Sequence, residues 1–295
     1  MKRRIPIVLF VFNVLIMKNI QLRAISGAVY VALIVAGIMC GAWPFFALTA
    51  LFLVVGMSEY INLTAATVGS RPSPAMAVAD YVGSLSLWAL PVGFYAAESR
   101  IVGAAMALFL FWIVVRLVQS VMSTSPDALR FLSRSMLGLF YLAVPMMLVN
   151  YVYIMDSAVD GPTMLMITFV CIWINDTGVY LVGSKFGRRR LCERLSPKKS
   201  WEGFWGGLAL VVLALIVYAV CSTSVSDVVI YAIYGVVVSV LATVGDLFGS
   251  LLKRTAGVKD SGRIIPGHGG VLDRIDSFLF AQYAILVYAG CSLLL

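Results

Sequence analysis

Val240-Leu-Ala-Thr-Val-Gly-Asp246-Leu-Phe-Gly-Ser-Leu-Leu-Lys-Arg254 carries an aspartate inside an apolar run of helix length. A run of this kind spans a bilayer as a helix, so Asp246 sits where lipid is the solvent. An aspartate there costs about 2.5–3.5 kcal/mol on insertion scales and is normally kept for a function. The plain alternative is a structural pair with Lys253 or Arg254, two helical turns on and near the same face. Outward from this run lie Lys259-Asp-Ser-Gly262 and Pro266-Gly-His-Gly-Gly-Val-Leu-Asp-Arg-Ile-Asp276. Residues 246–276 hold four aspartates, five basic side chains and the chain's only histidine. Carboxylates that can hold a divalent cation, cations that can hold phosphates, and glycines that let backbone approach a ligand suit phosphate chemistry at a metal. A solvated loop between two membrane helices would explain Arg254 or Lys259 alone, but not Asp246.

With 61% hydrophobic residues, 12% charged residues and a mean hydropathy of +0.98, the chain is not an ordinary soluble globule. Apolar runs recur from end to end and predict an all-α, polytopic membrane protein. Nine spans are expected, near 25–40, 44–61, 75–97, 101–118, 136–155, 163–183, 203–221, 229–250 and 277–295. Residues 1–24 read as an interfacial or cytoplasmic extension, 25–160 as N-terminal transmembrane helices, and 161–295 as the catalytic transmembrane region. That region has two charged loops, 184–202 and 251–276. Basic residues, among them Lys18, Arg23, Arg71, Arg116, Arg130 and Arg134, fall in alternate connections. The positive-inside rule then puts the N-terminus and both charged loops in the cytoplasm and the C-terminus outside. The net charge of +8 follows from this topology and from attraction to anionic headgroups, and no nucleic-acid partner is implied. The five scattered cysteines have no metal-binding spacing and read as reduced packing residues.

Asp273 and Asp276 are three apart and share one face if the last helix begins there. Acids at a helix start also suit its dipole, but capping needs only one. With Asp246 they can supply the few oxygen ligands that Mg²⁺ takes. Asp260 reads equally as a turn residue. His268, in Pro266-Gly-His-Gly-Gly270, suits a backbone cradle for phosphate, with the N–H groups of Gly269 and Gly270 beside it. Asp176, within Asn175-Asp-Thr-Gly178, is a second carboxylate in an apolar helix. Lys185-Phe-Gly-Arg-Arg-Arg190 reads mainly as topology and lipid attraction. Ser196-Pro-Lys-Lys-Ser200 is more specific, and Trp201 after it suits the headgroup level as an interfacial anchor.

The stretch from Ser250-Leu-Leu-Lys-Arg through Lys259-Asp-Ser-Gly to Pro266-Gly-His-Gly-Gly-Val-Leu-Asp-Arg-Ile-Asp276 resembles the signature of bacterial phosphatidate cytidylyltransferases, the CDP-diacylglycerol synthases. Asp176-Thr-Gly and Ser196-Pro-Lys-Lys-Ser-Trp-Glu-Gly resemble that family's second motif. The resemblance implies an all-helical enzyme of the bacterial inner membrane, a homodimer with its active site facing the cytoplasm. It would convert phosphatidic acid and CTP to CDP-diacylglycerol and pyrophosphate. It further implies that Asp246 and Asp273 match the family's cation-binding aspartates, at a site holding Mg²⁺ paired with K⁺. One departure is Gly249, where many relatives carry a glutamate.

The expected chemistry follows from charge. The lipid phosphate is already ionised, so no strong base is needed, but one anion must attack another. At about 4 Å, two unit charges repel by ~4 kcal/mol at an effective dielectric near 20. Asp246 and Asp273, with Asp276 beside them, are expected to hold the cation. Lys253, Arg254, Lys259, Arg263 and Arg274 are expected on phosphate oxygens, with Lys198, Lys199 and Ser200 from the other loop. Two rivals remain at this stage. A CTP-dependent polyprenol or other lipid kinase would use a similar cradle, and an ion-coupled transporter could use Asp176 and Asp246 as midplane sites. The transporter lacks the internal symmetry expected of that class.

Overall fold

A computed structural model describes residues 7–68, 72–155, 160–222 and 227–292. Arg71 and part of the 156–160 connection therefore lie outside the described residues. Nearly everything described is helix. In chain order the elements are α1 (Ile7–Met39), α2 (Ala42–Val68), α3 (Pro74–Tyr95), α4 (Ser99–Met122) and α5 (Ala128–Gly138). A π-turn (Leu139–Ala143) leads into α6 (Val144–Ile154) and α7 (Gly161–Phe186). Strands β1 (Arg190–Cys192) and β2 (Ser196–Ser200) precede α8 (Trp201–Ser222), α9 (Val228–Thr255), α10 (Leu272–Ala281) and α11 (Tyr283–Ser292).

Eight helices among the described residues are long and apolar enough to cross a membrane, counting α5 through α6 as one run, Ala128–Ile154. Their starts follow local chemistry. The Ser73 hydroxyl accepts from the Met76 N–H ahead of Pro74, and the Asp160 carboxylate accepts from the Thr163 N–H at 3.1 Å. The π-turn comes immediately before Pro145, which has no N–H to give the preceding turn.

The ninth expected span differs. It is two ten-residue helices, α10 and α11, parted at Gln282. Its first half is enclosed by protein: Phe278 joins the core built with α1, α7, α8 and α9, while Ile275 and Leu279 join the core built with α2, α3 and α6. Gln282 is fully buried and its Nε2 donates to the Pro145 carbonyl at 3.2 Å, so the interrupted backbone is supported by a neighbour. By contrast, Leu110, Phe111, Val114 and Val118 on α4 are left exposed, as a lipid-facing helix requires.

Two close crossings position the acids. On α9, Gly245 and Gly249 lie against α10: a Cβ at Gly249 would come 2.8 Å from Asp276 Oδ2, and one at Gly245 would meet the Asp276 carbonyl. On α8, Gly203 and Gly207 lie against α7, where a Cβ at Gly207 would meet the Asn175 carbonyl at 2.8 Å. Small residues four apart are what allows membrane helices to approach so closely.

The loop expected over 184–202 contains an antiparallel hairpin. Arg190 pairs with Ser200 and Cys192 with Ser196, and the Trp201 N–H donates to the Arg189 carbonyl at 3.0 Å. Glu202, in the first turn of α8, accepts the Arg188 and Arg189 N–H groups at 3.0 and 3.2 Å. The hairpin is thereby tied to the helix that follows it. Trp201 is 45% exposed at that helix start, as an interfacial anchor would be.

Candidate active site

The acids singled out by sequence come together. Asp176 from α7, Asp246 from α9, and Asp273 and Asp276 from the first turns of α10 line one cavity of about 230 Å³, with Tyr30 and Arg274. Asp246 pairs with Lys199 on the hairpin, not with Lys253 or Arg254 of its own helix. Lys253 turns instead to α10, where Nζ lies 2.6 Å from Asp273 Oδ1 and 3.8 Å from Asp276 Oδ2. The shared face expected of Asp273 and Asp276 is thus real, and one ammonium serves both.

The two α10 acids differ in environment. Burial opposes ionisation of Asp273, but the Lys253 hydrogen bond and the Gly270 and Ser261 N–H groups hold its pKa below the usual carboxylate value. Those N–H bonds reach Oδ2 at 3.0 and 2.8 Å, and the Ser261 hydroxyl donates to the same oxygen at 3.0 Å. Burial, then the Asp246 carboxylate, pushes Asp276 up to about 8.

Two further cavities adjoin the acidic one. The hairpin side, about 630 Å³, is lined by Lys198, Lys199 and Arg190 with Val179 and Tyr180 of α7, and shares Asp176 and Asp246 with it. The glycine-loop side, about 490 Å³, is lined by Lys259, Arg263, His268 and Gly269, with Asp260, and shares Arg274. Gly267 and Gly269 flank His268 with φ of +74° and +86°, a left-handed backbone that favours glycine. The Ile265 N–H donates to the Gly269 carbonyl at 2.9 Å and closes the turn. Burial, with Arg274 and Arg23 nearby, lowers the pKa of His268.

Besides Lys253, which reaches the acids through its ion pairs, three expected residues line none of these cavities. Ser200 is buried and its hydroxyl accepts from the Gly203 N–H at 3.2 Å, starting α8. Arg254 is exposed and donates to the Val258 carbonyl at 2.9 Å. Gly270 packs on Ser261 and Glu59.

Other residues were missed by sequence reasoning. Glu59 of α2 is 4% exposed and accepts from the Val271 and Leu272 N–H groups at 3.0 and 2.9 Å, and from the Ser261 hydroxyl at 2.9 Å. It caps α10 and pins the glycine loop. Its signal was available: a glutamate in an apolar run carries the same cost as Asp246. On α1, the Arg23 Nε donates to the Gly267 carbonyl at 2.9 Å, Ser26 Oγ lies 2.7 Å from His268 Nδ1, and the Tyr30 hydroxyl donates to the Arg274 carbonyl at 2.7 Å. A lone arginine and serine along α1 give no such signal.

Oxygen donors of this kind fit a hard divalent cation. Among the described residues, though, no three His, Cys, Asp or Glu side chains already form a metal cage. The lysine ammoniums stand where the carboxylates would meet such an ion.

Comparison with known proteins gives the family. A family model described as the cytidylyltransferase family matches residues 21–292. A phosphatidate cytidylyltransferase of Synechocystis sp. is 33% identical over 92% of this chain and 97% of its own length. One of Haemophilus influenzae is 44% identical over 41% of this chain and 43% of its own. One of Staphylococcus epidermidis is 37% identical over 45% and 51%. With the match running from within α1 to the end of α11, this chain belongs to the cytidylyltransferase family.

Proposed function

We propose that the protein transfers CMP from CTP to phosphatidic acid, giving CDP-diacylglycerol and pyrophosphate. One observation carries this reading: an acidic cavity lies between two basic ones and shares lining residues with each. Two anionic substrates can therefore be held on either side of one centre. A phosphate oxygen of the lipid forms a bond to the α-phosphorus of CTP, and the bond from that phosphorus to the β-phosphate oxygen breaks, releasing pyrophosphate. Lys198, Lys199 and Arg190 bind one phosphate, and Lys259, Arg263 and Arg274 bind the other. Holding both reactants in line supplies much of the rate. Asp246 and Asp273, with Asp276 beside them, would hold Mg²⁺, which when bound supplies charge neutralisation between the reactants. The paired K⁺, the homodimer and the cytoplasmic orientation belong to the same reading and are supported by the family resemblance and the loop charges.

Incubating purified protein with phosphatidic acid, Mg²⁺ and radiolabelled CTP tests it. The expected products are a CDP-lipid and pyrophosphate. Phosphorylated lipid with CDP would identify a kinase instead, and no dependence on phosphatidic acid would refute the reading.

A further inference from the structure

Away from the acids, α3, α4 and α5 enclose a charge cluster with no part in the chemistry above. Asp80 Oδ1 lies 3.3 Å from Arg116 Nε, and Asp80 Oδ2 lies 3.5 Å from Arg134 Nη2. The Arg116 and Arg134 side chains are only 1% and 2% exposed. Ser135 donates to Asp80 at 2.9 Å, and Arg116 is further satisfied by Gln119, Ser135 and the Phe131 carbonyl. Arg134 has fewer partners: its Nε and Nη1 make no hydrogen bond, as Arg116 Nε and Asp80 Oδ1 also do not, and its guanidinium lies 5.6 Å from the Phe131 ring. Two buried guanidiniums thus share a single carboxylate among the described residues, and one positive charge stays uncompensated. A buried charge with few partners is costly, and an anion within reach of Arg134 would offset that cost.

Arg134 lines a groove of about 480 Å³ between α2, α5 and α9. The groove lies at the end of the molecule that bears the charged loops, with Thr67, Arg130 and Thr255 at its rim and Leu137, Phe248 and Leu251 along its walls. Asp127 already pairs with Arg130 at 2.8 Å. We propose that the groove holds an anionic phospholipid of the surrounding bilayer, its headgroup phosphate on Arg134 and an acyl chain along Leu137, Phe248 and Leu251. A guanidinium matches phosphate oxygens in a fork, and an apolar wall beside it selects a lipid over a free ion. Leu251 and Phe248 belong to α9, the helix that also carries Asp246 and Lys253. The proposal does not depend on which reaction the acids serve.

The test is native mass spectrometry and thermal unfolding of delipidated protein in neutral detergent, with phosphatidylglycerol, phosphatidylcholine or inorganic phosphate added. One phosphatidylglycerol is expected to be retained, at least tenfold in preference to phosphatidylcholine, with a raised Tm. Arg134→Met should abolish both effects. Ser133→Trp, at an exposed position lining the groove, should do the same with every charge in place, and it decides the matter if Arg134→Met does not fold. Equal retention of the two lipids, unchanged retention in Ser133→Trp, or equal protection by inorganic phosphate would each overturn the proposal.

Discussion

Asp246 has a cation partner that comes from 47 residues earlier in the chain. Asp246→Asn keeps the shape and removes the charge, and turnover is expected to fall by on the order of 100-fold or more while the Tm changes little. CTP incorporation near the unsubstituted rate would remove Asp246 from the centre. Glu59→Ala takes the acceptor from the Val271 and Leu272 N–H groups and one of the two acceptors within reach of the Ser261 hydroxyl. At about 1.5–3 kcal/mol for a hydrogen bond to a charged group, loss of several kcal/mol of stability is expected, with a higher KM for CTP as the loop loosens. An unchanged Tm would contradict its role as the pin of that loop. Asp276 gives a pH signature. Its folded pKa is raised, so the native state binds a proton that the unfolded chain has already lost between about pH 4 and about pH 8. Stability contributed by that proton is present at low pH and is lost as pH rises through about 8. Asp276→Asn is expected to flatten this decline in a series of thermal melts, and a decline of the same slope would assign it to another group. Asp246 and Asp273 were legible in sequence because a carboxylate in or beside a membrane helix is expensive. Glu59 and Asp80 carry the same mark, but they lie in a half of the chain whose short connections drew no attention to chemistry. Which lysine meets which acid was not legible at all. Lys253 lies two turns from Asp246 along one helix, and the approach of α10 offers it Asp273 instead.

Among the elements, α7 and α8 show how backbone contact sets a site. The face formed by Gly203, Gly206 and Gly207 lets α8 lie on α7, which carries Asp176, while the hairpin delivers Lys199 to Asp246. Gly207→Leu has no room beside Asn175 and Val179, and overpacking of this kind costs about 1–3 kcal/mol. The larger expected effect is on activity, as the helices part and Lys199 moves off Asp246. A Gly207→Leu protein with normal turnover would show that the crossing does not set the centre. The long helices were legible because a span must be both long and apolar. The hairpin was not, since Arg190–Ser200 is rich in lysine, arginine and serine and reads as loop; its order comes from Glu202 and the Arg189 carbonyl. Nor was the break at Gln282, which depends on a carbonyl 137 residues away.

At the scale of the whole molecule, the Arg23 turn of α1, the hairpin and the glycine loop meet at one end of the bundle, the end that the proposed orientation puts in the cytoplasm. The native cysteines mark the two ends. Cys40, at the far end of α1, and Cys221, at the far end of α8, are exposed, whereas Cys192 lies in the hairpin. In a Cys291→Ser background, an impermeant maleimide is expected to label Cys40 and Cys221 in intact spheroplasts and Cys192 only in inverted vesicles. The reverse pattern would turn the protein over.

The hairpin recess and the glycine-loop recess have no lining residue in common and touch only through the acids between them. If one reactant of the proposed transfer occupies each recess, either can bind without displacing the other. Such an arrangement favours a ternary complex with direct transfer, and it leaves each departing product its own way out.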